Sequence, residues 1–216
     1  TCVCGYAVCD TYVPVKHTYK NGVCTRCGAK NPNNKPAAPA VKPDYLLSTG
    51  KPYLKWSAVT GASKYEVYRA GSQNGTYKYI GSTTKTGYTD TNASAGYAYY
   101  YKVKAVSKVK AAANSAYSTV VKATCHCAKP VVKIALTQKG KPKLTWNAVA
   151  GAGKYEVYRA TSKNGTYTKM FTTTNRSYTN TNARAGTTYY YKVKAISRVR
   201  STANSSFSAI KSIRAR

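Results

Sequence analysis

The sequence predicts an all-β protein: two tandem antiparallel sandwiches preceded by a small, metal-stabilised, cysteine-rich module. Three observations predict it. Trp56 and Trp146, Tyr65 and Tyr155, and Tyr99 and Tyr189 are each 90 residues apart, and residues 51–123 laid on 141–213 without a gap give 42 identities in 73 positions. That is tandem duplication of one domain rather than a solenoid of short units. Within each copy apolar residues alternate with polar ones, and turn residues punctuate them every 8–12 positions. Five of the seven cysteines crowd the first 27 residues. A segment that short cannot bury enough apolar surface to fold unaided.

In chain order, residues 1–31 form the cysteine-rich head and 32–37 a linker. The first repeat occupies 38–123, 124–127 connects the copies, and 128–216 is the second repeat. In the head, Cys24-x-x-Cys27-Gly28 has the knuckle spacing in which successive thiolates and amides wrap one tetrahedral zinc. Upstream lie Cys2-x-Cys4-Gly5, Cys9 and His17. The expectation is one structural zinc held by Cys4, Cys24 and Cys27, with His17, Cys2 or Cys9 completing the shell. Disulfides are the alternative, although seven cysteines paired that way leave one thiol over. The run H-T-Y-K-N-G-V-C-T-R-C-G resembles a small zinc-ribbon-like module that stands beside such repeats in bacterial surface proteins. The stretch NPNNKPAAPAVK that follows reads as a semi-extended spacer. Cys125-His126-Cys127, between the copies, reads as a partial metal site, a cross-link to the head or an inert connector.

In the first repeat Leu54 and Trp56 alternate with Lys55 and Ser57, and Tyr65 and Val67 with Lys64, Glu66 and Tyr68. Asn74-Gly75, like Asn164-Gly165, marks a hairpin. Tyr99, Tyr101, Val103 and Ala105 share one side of a long strand, with Tyr100, Lys102 and Lys104 on the other. Nothing sustains a 3.6-residue period. The pattern W-x-x-V-x-G-A-x-x-Y-x-V-Y-R, then NGTY and Y-x-Y-x-V-x-A, resembles the fibronectin type III domains of secreted Gram-positive bacterial proteins, over about four fifths of the chain. The resemblance implies two Ig-like sandwiches, a buried tryptophan on strand B (Trp56, Trp146), and a tyrosine corner on strand F. There the Tyr99 or Tyr189 hydroxyl bonds back to the preceding loop. It carries no activity with it, and no Arg-Gly-Asp supports integrin binding.

The formal charge is +30, divided as +4 over residues 1–35, +9 over 36–125 and +17 over 126–216. Such a field favours polyanions without naming one. Tyr100, Lys102 and Lys104, and their counterparts Tyr190, Lys192 and Lys194, place charge beside aromatic rings, with Arg198 and Arg200 adding to the second copy. Tyr68, Arg69, Tyr158 and Arg159 lie on the neighbouring strand. This pattern suits an anionic polymer, and it equally suits a solvated strand face that blocks edge aggregation. Five carboxylates and two histidines leave little material for acid–base catalysis. Glu66 and Glu156, each in a YEVYR context, read as cross-strand partners of Lys102 and Lys192, and no second carboxylate makes a glycosidase pair.

The expected protein is a non-catalytic, monomeric, secreted or cell-surface binding module. Its partner would be cell-wall polymer, nucleic acid, a host glycan or a host surface protein; no small-molecule substrate or membrane-spanning segment is expected. The alternative is a spacer, accessory or adhesin- or immunoglobulin-binding-type region of a larger surface protein or enzyme. The start at Thr1, without a charged and apolar leader, reads as a processed form or a fragment.

Overall fold

The computed structural model describes residues 18–20, 23–25, 35–108 and 114–216. In the head these form one short antiparallel hairpin, β1 (Tyr19–Lys20) and β2 (Val23–Cys24). The first repeat contains β3 (Lys42–Tyr45), β4 (Pro52–Lys55), β5 (Ala62–Ala70), β6 (Lys78–Thr83), β7 (Gly87–Thr89), β8 (Ala98–Ser107) and β9 (Val121–Thr124). The second contains β10 (Val132–Leu136), β11 (Pro142–Trp146), β12 (Ala152–Ala160), β13 (Thr168–Thr173), β14 (Ser177–Thr179), β15 (Thr188–Ser197) and β16 (Lys211–Arg214), with one 3-10 turn at Ser201–Ala203. Each repeat pairs a three-stranded sheet (β3-β4-β7; β10-β11-β14) with a four-stranded one (β6-β5-β8-β9; β13-β12-β15-β16), every pairing antiparallel.

The period-two reading decides which side chains meet between the sheets. Leu54, Val67, Tyr101, Val103 and Ala105 are fully buried, as are Leu144, Val157, Val193 and Ala195. Trp56 meets the edge of Tyr65 at 5.2 Å between ring centres, and Trp146 meets Tyr155 at 5.4 Å. A buried phenol needs a partner for its hydroxyl. The Val59 N–H donates to Tyr65 (2.8 Å) and the Val149 N–H to Tyr155 (3.0 Å). The corner tyrosines behave as the resemblance implies: the Ser94 N–H donates to the Tyr99 hydroxyl (3.1 Å) and the Arg184 N–H to that of Tyr189 (3.0 Å). Removing a ring from such a core costs about 3–5 kcal/mol.

Asn74-Gly75 lies between β5 and β6 but does not make a two-residue hairpin. The seven-residue connection contains a turn in which the Gly75 N–H donates to the Ser72 carbonyl (3.2 Å). Serine opens this turn and glycine closes it, as a type I turn favours.

Both repeats grip the chain between them. The Cys125 N–H bonds the Tyr97 carbonyl and the His126 N–H that of Gly50, while the Cys127 N–H reaches Ala203 of the second repeat at 2.8 Å. The His126 ring stacks on Tyr45 with centroids 3.9 Å apart. Gly50, at φ +71°, passes so close to the His126 carbonyl that any side chain there would collide with it. Cys125 and Cys127 are both buried, and burial raises both thiols above their ordinary range. Packed in this way they resemble small apolar residues rather than reactive thiols. No group of three His, Cys, Asp or Glu converges on a metal-holding geometry among the described residues.

Candidate functional site

The outer side of each four-stranded sheet presents the lysines that the alternation places there. Pairing sets Tyr68 opposite Lys102 and Glu66 opposite Lys104, and repeats this as Tyr158 opposite Lys192 and Glu156 opposite Lys194. The expected partnership of Glu66 with Lys102, and of Glu156 with Lys192, is therefore two residues out of register. Glu66 instead accepts the Tyr68 hydroxyl (2.9 Å) and stands 3.7 Å from Lys64. Glu156 accepts Tyr158 (2.8 Å) and pairs with Lys169 at 3.3 Å. Burial raises the Glu156 carboxyl, yet the Tyr158 hydrogen bond and the Lys169 and Lys194 charges outweigh it and hold the group below its ordinary value. A carboxylate tuned downward is poorly suited to general-acid work near neutrality.

The lysines lie over aromatic rings instead. Lys102 Nζ is 4.2 Å from the Tyr77 ring centre and 5.9 Å from that of Tyr117, and Lys104 Nζ is 5.7 Å from Tyr117. In the second repeat Lys192 stands between Tyr167 (4.3 Å) and Phe207 (4.1 Å), with Lys194 5.5 Å from Phe207. Tyr68 and Tyr158 close the comb edge-on against Tyr117 and Phe207. Each such contact contributes about 0.5–1 kcal/mol at an exposed site. A ring orients an ammonium group without neutralising it, so the charge still acts on solvent. Tyr100 accepts a looser approach from Lys122 at 5.9 Å, and Tyr190, paired with Ala160 and Ser212, is half-buried beside the comb.

Tyr117 and Phe207 escaped the sequence reading. Ser115 and Ser118 bracket Tyr117, and Ser205 and Ser208 bracket Phe207; all four serines are buried. Their hydroxyls accept the Ala105, Val103, Ala195 and Val193 N–H groups at 2.8–3.0 Å. The same serines donate their N–H groups to the Ala105, Val103, Ala195 and Val193 carbonyls at 2.8–2.9 Å, so the chain follows the long strand through paired side-chain and backbone hydrogen bonds, and the intervening ring is turned outward. The S-x-aromatic-S spacing is the signal in the sequence.

Not every expected residue joins the face. Arg69 points inward to an ion pair with Asp90 (2.8 Å), and Arg159 to Asn180 (3.4 Å). Arg198 and Arg200 lie beyond the end of β15. Arg198 Nε donates to the Ala152 carbonyl (3.1 Å), and Val199 between them packs against Gly96 of the first repeat. Arg198 therefore lies at the junction of the repeats rather than in the Lys192–Lys194 comb, while Arg200 is exposed and donates its N–H to the Ser197 hydroxyl (3.5 Å). Of the metal candidates, Cys2, Cys4, Cys9, His17 and Cys27 lie outside the described residues; Cys24 is buried in the β1–β2 hairpin.

No protein-family model matches the chain. It is similar to Exoglucanase B of Cellulomonas fimi, 32% identical over 161 residues, which cover 66% of this chain and 14% of that protein. A poly(3-hydroxybutyrate) depolymerase of Ralstonia pickettii is 44% identical over 75 residues, 35% of this chain and 14% of that protein. An amylopullulanase of Thermoanaerobacterium saccharolyticum is 36% identical over 75 residues, 33% of this chain and 6% of that protein. The chain thus spans a small fraction of the curated relatives it matches. Among solved structures, a two-domain fibronectin type III segment of chicken tenascin superposes with a TM-score of 0.50 at 15% identity, covering 84% of this chain and 99% of that one. With that likeness and the three-plus-four strand order of each repeat, the chain has a fibronectin type III-like fold.

Proposed function

We propose that the chain is a non-catalytic accessory region of a larger secreted polymer-degrading protein, and that its lysine–aromatic faces hold anionic polymer. The observation that carries the reading is that one comb of outward lysines over aromatic rings is built twice, 90 residues apart, on β8 and β15. The similarity to three bacterial proteins named for polymer breakdown, of each of which the chain spans 14% or less, supports the accessory setting. Within that setting Tyr100, Lys102, Lys104, Tyr190, Lys192 and Lys194 are the contact residues. The head is proposed to hold one structural zinc through Cys4, Cys24 and Cys27 with His17, Cys2 or Cys9. Metal analysis of purified protein should then find about one zinc per chain, and finding no metal alongside head disulfides would overturn it.

The charge reading is tested by heparin binding of the full chain at several salt concentrations. Each neutralised anion releases condensed counterions, so affinity should fall steeply with salt, and Lys192→Ala with Lys194→Ala should lower the slope by roughly one unit each. Lys102→Ala with Lys104→Ala should do less, because the field around the first repeat is weaker. Unchanged heparin binding in all four variants would reduce the comb to a solvated face and leave the region a spacer.

A further inference from the structure

The repeats part company at the open side of the sandwich, where the edge strand of one sheet faces the edge strand of the other. In the first repeat the Tyr88 hydroxyl donates to the Ile80 carbonyl (2.8 Å) and lies across Gly81, where a Cβ would come within 2.5 Å of it. The second repeat has Phe171 at the position of Gly81. Its ring stacks on Tyr178 with centroids 5.4 Å apart and planes 30° from parallel, and it is 49% exposed. The Tyr178 hydroxyl makes no hydrogen bond among the described residues, and burial raises its phenol above the ordinary value.

Beside this pair, between β13 and β14, is a cleft of about 440 Å³, inside the range of about 300–1,000 Å³ that small-molecule sites occupy. Asn175, Thr179, Thr181 and Asn182 also line it, and none of its lining residues is charged. That is a notable composition in a segment with 18 lysines and arginines between residues 126 and 216. The Asn175 and Asn182 carboxamides are exposed and make no hydrogen bond among the described residues. Each offers two donors and an acceptor.

We propose that this cleft is a binding subsite for a neutral pyranose residue of a glycan. A sugar ring presents an apolar C–H face, which the electron-rich face of an aromatic ring accepts, and a rim of hydroxyls that both donate and accept. Phe171 with Tyr178, and the amides and hydroxyls around them, match those two requirements. A phosphate or sulfate ligand would need cations, and none lines the cleft. A nucleic acid would rely on its phosphates for most of its affinity. The site extends the polymer-holding role proposed above but does not rest on the lysine comb.

The test is titration of the full 216-residue chain with cellohexaose and with maltohexaose, followed by calorimetry and NMR, with heparin in parallel. At least one neutral hexasaccharide should bind saturably. Phe171→Ala should weaken it by roughly tenfold or more, Phe171→Trp should retain it, and Asn182→Ala should weaken it less than Phe171→Ala. Heparin binding should be the same in all three variants, and their melting temperatures should match the parent because Phe171 and Asn182 are exposed. Absence of saturation by either hexasaccharide at millimolar concentration, or Phe171→Ala binding as well as the parent, would overturn the subsite. Loss of heparin binding in the lysine variants alone bears only on the comb.

Discussion

Position 90 of the first repeat and position 180 of the second lie in the same place, after β7 and β14, and solve the same problem with different chemistry. Asp90 is 2% exposed; it accepts Arg69 Nη1 (2.8 Å) and the Tyr101 hydroxyl (2.9 Å) on one oxygen and the Asn92 N–H (3.1 Å) on the other. Asn180 is 1% exposed; its amide donates to the Tyr191 oxygen (2.8 Å) while its carbonyl faces Arg159 at 3.4 Å. The fold requires a polar group between an arginine and a buried tyrosine, and it tolerates a reversed proton direction. What it does not require is the charge. One copy neutralises its arginine inside the sandwich and the other leaves it in the field, which adds to the positive excess of the second repeat.

The largest expected effect comes from removing that group altogether. Asp90→Ala strands a partly buried guanidinium, a buried phenol and a loop N–H at once, and should destabilise the first repeat by about 3 kcal/mol or more. One tryptophan lies in each repeat core, so a urea titration followed by fluorescence should show the transition shift to lower denaturant. A shift below about 1 kcal/mol would mean that water replaces the carboxylate without difficulty.

A smaller effect is expected when the chemistry is exchanged rather than deleted. Asp90→Asn copies the arrangement of the second repeat and should cost about 1 kcal/mol. Asn180→Asp, beside Arg159, should lie within about 1 kcal/mol of neutral. If Asp90→Asn proves as damaging as Asp90→Ala, the two sites are not interchangeable and the proton direction matters.

The smallest effect separates the two tyrosines at alkaline pH. Burial pushes the Tyr191 phenol up to about 12. Burial and the Asp90 carboxylate push Tyr101 further in the same direction. A phenol whose folded value is raised contributes stability that is fully present below the unfolded value of about 10 and is lost as pH rises through that value toward the folded one. Both repeats should weaken above pH of about 10. The loss from Tyr191 should level off near pH 12, while that from Tyr101 continues beyond it. Tyrosinate absorbance of Tyr101→Phe and Tyr191→Phe variants, compared with the parent, reads the order; Tyr101 ionising first would reverse it.

The alternation of Tyr99, Tyr101, Val103 and Ala105 with Tyr100, Lys102 and Lys104 was legible because a strand has a period of two and one side had to be buried. The repeat was legible because identity at a fixed offset needs no geometry. Cross-strand partners were not, since Glu66 opposite Lys104 rather than Lys102 depends on how two distant segments slide past each other. Nor was the inward turn of Arg69, whose type predicts exposure and whose partner Asp90 lies 21 residues away.

The sequence by itself therefore determined the duplication, the sandwich class, the core side of each strand and the positive charge. Those follow from periodicity and composition, which are local. The tertiary structure alone decided that Tyr117 and Phe207 cap the lysine comb, that Arg198 lies at the junction of the repeats, and that Phe171 meets Tyr178 beside an uncharged cleft. Each depends on how separate strands and sheets approach one another, where register and packing set which side chains share a surface.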